Sequence, residues 1–176
     1  MARSTLDQVP RGSRVFVDAS IFIYHFAKVS WECRRLLQRC ESGEVAGVTS
    51  VVVLSEVTHR LMMMEAVRQG LVTPGGVARK LRDRPAIVRQ LPEYGVQVAS
   101  IPGWDIEVLP LDLAACLRSA DVRASSGLLT DDSLIVTTMR DQQLDAIATS
   151  DADFERVDGL RVFGPSDLGS AGPALA

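Results

Sequence analysis

Short, almost wholly apolar runs alternate with stretches of helical periodicity through most of this chain. Val15 to Val17, Val45 to Val48, Ile106 to Pro110, Ala146 to Thr149 and Leu160 to Phe163 read as strands. Runs this short and apolar suit strands buried on both faces, where no polar alternation is needed. After the first strand, Ile21, Ile23, Tyr24 and Phe26 mark a helix-like stretch. Trp31 to Gln38 is amphipathic, with Cys33, Leu36 and Leu37 facing in and Arg34, Arg35 and Arg39 facing out. Gly43 ends that helix, and Thr49 or Ser50 caps the next, which runs to about Arg68. Leu113 to Ser125 forms another, with Leu113, Ala114, Leu117 and Ala120 on one face. Thr130 caps the last, from Asp131 to about Asp141. This alternation predicts a three-layer α/β/α sandwich around a central parallel sheet.

One region departs from the rhythm. Gly70 and Pro74 break the long helix, and the chain to about Leu91 reads as helical and basic, divided at Pro85. Residues 92–104 read as loop, with one short extended run at Val96 to Ala99. Domain boundaries follow from the pattern: residues 1–13 as an N-terminal extension, 14–166 as the single domain, and 167–176 as a flexible tail, mobile from Ser170 onward. Val9-Pro-Arg-Gly-Ser13 looks like a protease-cleavage linker, although Gln8 stands where such linkers carry Leu, and is placed outside the fold.

Bulk composition narrows the function classes. Hydrophobic residues make up 47% and charged residues 23%, an ordinary balance for a soluble globular domain. No apolar run approaches the ~20 residues of a membrane span, and the N-terminus lacks the apolar core of a signal peptide. Cys33, Cys40 and Cys116 form no metal-ligand spacing; an odd count without a framework implies reduced thiols and a cytoplasmic location. The net charge of −3 excludes polyanion binding by bulk charge and leaves it to local patches or a bound cation.

Acidic residues carry the candidate chemistry. Asp18 and Asp151 follow buried strands directly, where a core does not tolerate an unpaired carboxylate. In a parallel sheet that is also the edge where ligands bind. Glu56 lies in the apolar helical run Val51-Val-Val-Leu-Ser-Glu-Val57, on the side of Val52 and Val53. Asp131 and Asp132 open the helix before Ser133-Leu-Ile135. Each has a plain structural reading too. Asp18 suits a helix cap, Glu56 an ion pair with Arg60 at i+4, the Asp131–Asp132 pair a helix dipole, and Asp151 with Asp153 a turn. The hydroxyls of Ser20, Thr149 and Ser150 stand ready to orient carboxylates or waters. His25 and His59 read as surface or pairing residues. A cluster of carboxylates repels itself unless a hard cation holds it, which selects Mg2+ or Mn2+.

Taken in order, Val17-Asp-Ala-Ser20, the Val-Val-Leu-Ser-Glu56 helix, Asp132-Ser-Leu-Ile135 and Ala148-Thr-Ser-Asp151-Ala-Asp-Phe154 resemble the acidic motifs of PIN-domain ribonucleases, with the small VapC-type toxins as the best match. The resemblance runs from about Val15 to Pro165 and includes the closing Leu160-Arg-Val-Phe-Gly-Pro165. It implies a metal-dependent endoribonuclease with Asp18, Glu56, Asp132 and Asp151 as its catalytic acids. Asp18 and Asp132 would hold the Mg2+ or Mn2+ ion. Glu56 and Asp151 would serve a second ion or act through water. Asp132 is preferred to Asp131 because the Asp-small-Leu-Ile pattern fits it. Asp153, Ser20 and Ser150 are auxiliary. Also implied are an RNA substrate, a cognate antitoxin and a homodimer. The stretch 66–105, after the third helix, is longer than in compact members; its Arg79, Lys80 and Arg82 are candidates for RNA binding.

Three other readings compete. A PIN ribonuclease of RNA processing would need no antitoxin. A metal-dependent binding module would carry Asp-x-Ser-x-Ser, but Phe22 stands where its second Ser belongs. An aspartyl phosphotransferase would carry a second Asp where Ser20 stands, and Lys28 and Lys80, the only lysines, are not placed to assist it.

Overall fold

The apolar runs are strands because both of their faces are covered. Val15, Phe16 and Val17 of β2 (Arg14–Val17) are fully buried, as are Ala146, Ile147 and Ala148 of β5 (Ala146–Ala148). The other strands are β1 (Ser4–Thr5), β3 (Ala46–Ser50), β4 (Ile106–Leu109) and β6 (Arg161–Gly164). In this computed structural model, which describes residues 4–169, all six lie parallel in one sheet, in the order β1-β6-β5-β2-β3-β4. Helices flank the sheet: α1 (Ala19–Phe26), α2 (Trp31–Glu41), α3 (Val51–Arg68), α4 (Val77–Asp83), α5 (Pro85–Val88), α6 (Glu93–Ser100), α7 (Leu113–Ser126) and α8 (Thr130–Asp141). From β2 the chain builds outward through β3 and β4, then returns to the other side of β2 for β5 and β6. The order therefore reverses between β2 and β5, the crevice where such sheets bind ligands.

Close packing fixes β3. A Cβ on Gly47 would stand 2.9 Å from Cys40 Sγ and 3.0 Å from Ile106 Cγ1, so only glycine lets α2 and β4 approach here. Ser30 and Ser50 cap α2 and α3, accepting from the amides of Cys33 and Val53. The chain carries no helix long and apolar enough to cross a membrane among the described residues.

The structure corrects the sequence-based outline in three places. First, residues 4–9 belong to the fold and not to an extension. β1 pairs with β6, and Leu6 and Val9 are buried in the main core. β1 covers what would otherwise be an exposed sheet edge. Second, residues 93–104 are helical, as α6 and a 3-10 turn at Ile101–Trp104, with no extended run. Pro92 offers no side chain to cap α6; Glu65 of α3 does so instead, accepting from the amides of Glu93 (3.1 Å) and Tyr94 (2.8 Å). Third, Asp167 is fastened to the N-terminus of α2. It accepts from Ser30 Oγ (2.7 Å), Trp31 N (2.7 Å) and Glu32 N (3.0 Å), while the buried Glu32 accepts from Ser166 in return. The mobile tail expected over 170–176 lies outside the described residues. Leu113, Ala114, Leu117 and Ala120 of α7 share one face, as read from the sequence, and that face is turned outward. Ala115, Ser119 and Val122 turn in toward α8.

The long insertion after α3 has an apolar core of its own. Met63 and Ala66 of α3 pack with Val72, Val77, Leu81 and Leu91. As expected, Pro85 divides its basic stretch, opening α5 at N1 where its missing N–H costs nothing.

Candidate active site

Register brings the first two acids together. β2 and β5 are neighbours, with Val17 opposite Ala148, so Asp18 and residues 149–151 leave the sheet side by side. Asp18 is 7% exposed and caps α1. Its Oδ2 accepts from Thr149 Oγ1 (2.7 Å), Ser20 Oγ (2.8 Å) and Ser20 N (3.4 Å). All three bonds go to one oxygen; Oδ1 accepts none among the described residues. The cap and the site are thus one arrangement, in which the cap uses one carboxylate oxygen and spares the other.

Hydroxyls knit the two strand ends together. Ser20 Oγ accepts from Ser150 N (2.9 Å), and Thr149 Oγ1 accepts from Asp151 N (3.0 Å). Ser150 Oγ lies 3.3 Å from the Tyr24 hydroxyl, a contact that no local pattern announces. Asp151 caps a short 3-10 turn by accepting from Asp153 N (2.8 Å), and Asp153 pairs with Arg156 at 2.9 Å. The hydroxyls of Ser20 and Thr149 therefore orient the Asp18 carboxylate, whereas Ser150 Oγ meets Tyr24.

Glu56 and Asp132 reach the same region from α3 and α8. Each feels the charge of the other acids there. Burial pushes the Asp132 carboxyl up to about 6, helped by the negative charges of Asp151, Asp18, Asp131 and Asp153. Burial also raises Glu56; Asp18, Asp131 and Asp132 add to the rise, and Arg60, 3.9 Å away, opposes it. The ion pair with Arg60 and the proximity to Asp18 coexist. Asp131, the less favoured of the pair in sequence, lines a hollow of about 480 Å3 with Glu56, His59 and Ser55.

Two expectations fare differently. Lys80, a candidate for RNA binding, commits its ammonium to its own loop, at 2.8–3.3 Å from Thr73 Oγ1, Thr73 O and Pro74 O. Arg79 and Arg82 on the same helix are exposed and, among the described residues, make no ion pair. His25 sits at the far end of α1, its ring edge-on to Phe26 and Trp104, away from the acids.

The donor set suits a hard divalent cation. Among the described residues no three His, Cys, Asp or Glu side chains already form a cage for one. Mg2+ needs no such cage, since it keeps several waters and is bound through one or two carboxylates. The spared Oδ1 of Asp18 and the strained charge on Asp132 fit that need. Asp18 and Asp132 would hold the ion, with Glu56 and Asp151 reached through water.

The fold and the site define a class of protein with an all-parallel α/β sheet and carboxylates at the carboxyl edge of its strands. Within that class the chain belongs to the PIN domain family, whose model matches residues 15–160. It is 26% identical over 153 residues to Ribonuclease VapC2 of Methanocaldococcus jannaschii, covering 86% of this chain and 93% of that protein. Two solved structures share the fold. VapBC2 of Rickettsia felis, bound to a DNA fragment from its promoter, matches with a TM-score of 0.56 at 13% identity, over 87% of this chain and 99% of that one. VapC20 of Mycobacterium tuberculosis, described as a toxin cleaving the sarcin-ricin loop, matches with a TM-score of 0.53 at 15% identity, over 80% and 92%.

Proposed function

We propose that this protein is a divalent-metal-dependent endoribonuclease, the toxin of a VapBC-type toxin–antitoxin pair, acting in the cytoplasm. The observation that carries the reading is Asp18. Its Oδ2 is saturated by Thr149 and Ser20, its Oδ1 is spared, and its charge raises both Glu56 and Asp132. Such a cluster is unfavourable without a cation and well suited to one. The name of the archaeal relative, Ribonuclease VapC2, supports RNA as substrate.

When bound, Mg2+ or Mn2+ supplies positive charge that acidifies a water and offsets the charge building on the phosphate. The chain's own residues do the rest. Asp18 and Asp132 would hold the ion, and Thr149 and Ser20 keep the Asp18 carboxylate in one rotamer. Glu56 and Asp151 orient waters or a second ion. Asp153, beside Asp151, accepts a proton from the attacking water. Arg79 and Arg82 hold flanking phosphates, whereas Lys80 stiffens the loop at Thr73 and Pro74.

For protein partners we propose the antitoxin and a second copy of this chain. The outward stripe Leu113, Leu117, Ala120, Ala124 on α7 has the 4-3-4 spacing of a helix-pairing seam and is left exposed by the described residues. Leu113 is 75% and Leu117 67% exposed. A seam of one repeating pattern is self-complementary, which favours an identical partner.

The test of the activity is incubation of defined single-stranded and stem-loop RNAs with the protein, with and without Mg2+ or Mn2+, beside Asp18→Asn. Metal-dependent cleavage lost in the variant is the expected result. Cleavage undiminished in EDTA would overturn the mechanism.

A further inference from the structure

One residue of α3 connects two hollows. The first, about 480 Å3, is walled by Glu56, Asp131 and Ser55. The second, about 500 Å3, has Met62, Leu81 and Val88 as its floor and Arg82 and Arg89 on its rim. His59 lines both. Glu56, His59 and Met62 follow at i+3 steps along one face of α3, and at ~1.5 Å rise per residue they span ~9 Å. The hollows adjoin at His59, one lined by acids and the other by arginines.

Charge on the basic end is uncommitted. Arg82 and Arg89 are exposed, and among the described residues neither makes a salt bridge or a side-chain hydrogen bond. Nearby cations are not free in this sense: Arg60 is paired with Glu56, and Arg68 with Glu93. Unpaired guanidinium groups above an apolar floor suit a strand that offers phosphates to the rim and base faces to the floor. An acidic peptide would fit the arginines but meet repulsion from Glu56 and Asp131 at the other end. A phosphate meets no such penalty there if a cation occupies the acids.

We propose that the two hollows form one groove, the track for the single-stranded RNA flanking the scissile phosphate. His59 is a positioning residue that hydrogen-bonds the phosphate at the junction, and Arg82 and Arg89 hold the phosphates beyond it. The assignment rests on the ribonuclease reading above, adds His59 and Arg89 to it, and gives the bound strand a direction, from the acids along α3 toward α5.

Binding, measured apart from cleavage, tests this. In the Asp18→Asn protein, the affinity for a labelled single-stranded RNA is titrated against KCl. Replacing both Arg82 and Arg89 by Gln is expected to reduce the slope of log Kd against log salt by about 1.4, at about 0.7 per phosphate released from a single strand. Arg161→Gln, whose side chain is paired with Asp145, should leave the slope unchanged. His59→Ala is expected to weaken binding about 5-fold, as for one lost hydrogen bond. A photo-cross-linker placed through Met62→Cys, in a Cys116→Ser background that removes the exposed native thiol, should capture the RNA. RNA bound with an unchanged slope and no cross-link would overturn the groove while leaving the ribonuclease reading intact. No RNA binding by any variant, including Asp18→Asn alone, would overturn both. A cross-link to a second copy of the chain or to another protein, and never to RNA, would make this a protein-docking groove and overturn the assignment.

Discussion

Thr149 Oγ1 donates to Asp18 Oδ2 at 2.7 Å, joining residues 131 positions apart in the chain. Thr149 Oγ1 in turn accepts from Asp151 N at 3.0 Å. One buried hydroxyl therefore sets the rotamer of one candidate ligand and the backbone of another.

Thr149→Val keeps the shape of the side chain and removes the hydroxyl. It leaves a buried carboxylate oxygen one bond short and the Asp151 amide without its acceptor. The expected cost is about 1–3 kcal/mol of stability, read from urea unfolding, together with a higher Mg2+ requirement for cleavage. Thr149→Ser should restore the Mg2+ dependence. If the Ser variant shows the same raised requirement as Val, the hydroxyl does not position the acids.

Asp132 gives the metal-free protein a pH-dependent weakness. Its carboxyl titrates near 6 in the fold against 3.8 as a free side chain. The folded state thus holds this proton more tightly than the unfolded chain, and stability is lost as pH rises from about 4 through about 6. Asp132→Asn removes the effect. In EDTA its melting temperature should match wild type near pH 4 and exceed it increasingly up to pH 7. Added Mg2+ at pH 7 should stabilise the wild type more than the variant. A constant difference across that pH range would contradict the burial and charge clustering inferred here.

Asp167 anchors the end of the domain to α2. Burial works against its charge, but the bonds from Ser30 and from the amides of Glu32 and Trp31 outweigh it and hold its carboxyl below the usual range. Asp167→Ala should cost about 0.5–2 kcal/mol, the range for losing a helix cap. Since the folded pKa is the lower one, this contribution is full above the ordinary carboxylate range and fades as pH falls through the lowered value. Wild type and variant should therefore converge in stability below about pH 4. Equal stability at pH 7 would mean that Asp167 anchors nothing.

Leu117→Glu places a charge in the middle of the α7 stripe. The side chain is exposed within one chain, so the isolated fold should melt within about 0.5 kcal/mol of wild type. Light scattering should nevertheless show a shift from dimer to monomer. A wild-type protein that is monomeric at every concentration would remove the reason for the seam.

Much of the fold was legible because burial leaves a local signature. Five of the six strands carry it as apolar runs, and the alternation with helices determines a parallel sheet. The acidic positions stood out for a related reason: a carboxylate at the end of an apolar strand, as Asp18 after Phe16-Val17 and Asp151 two residues beyond Thr149, has no favourable place in a core. The readings that failed did so where the deciding partner is distant in sequence. Residues 93–100 contain Gly95 and follow Pro92, so they resemble a loop until Glu65, from another helix, caps them. The Leu113 face of α7 has the period read from the sequence, but period alone does not say which side of a helix is buried, and here it is the side of Ala115, Ser119 and Val122.

By itself, then, the sequence determined the strands, most of the helices, and the order and spacing of the acidic motifs, since these follow from short-range periodicity and the cost of burying charge. Tertiary structure alone decided that β2 and β5 stand side by side, that Thr149 ties Asp18 to Asp151, and that Asp167 closes the domain on α2. It also decided that Lys80 is spent on its own loop while Arg82 and Arg89 are left open to solvent. Hydrogen bonds and ion pairs reach only about 3 Å, so which polar groups meet depends on how distant segments pack, and no local pattern along the chain records that.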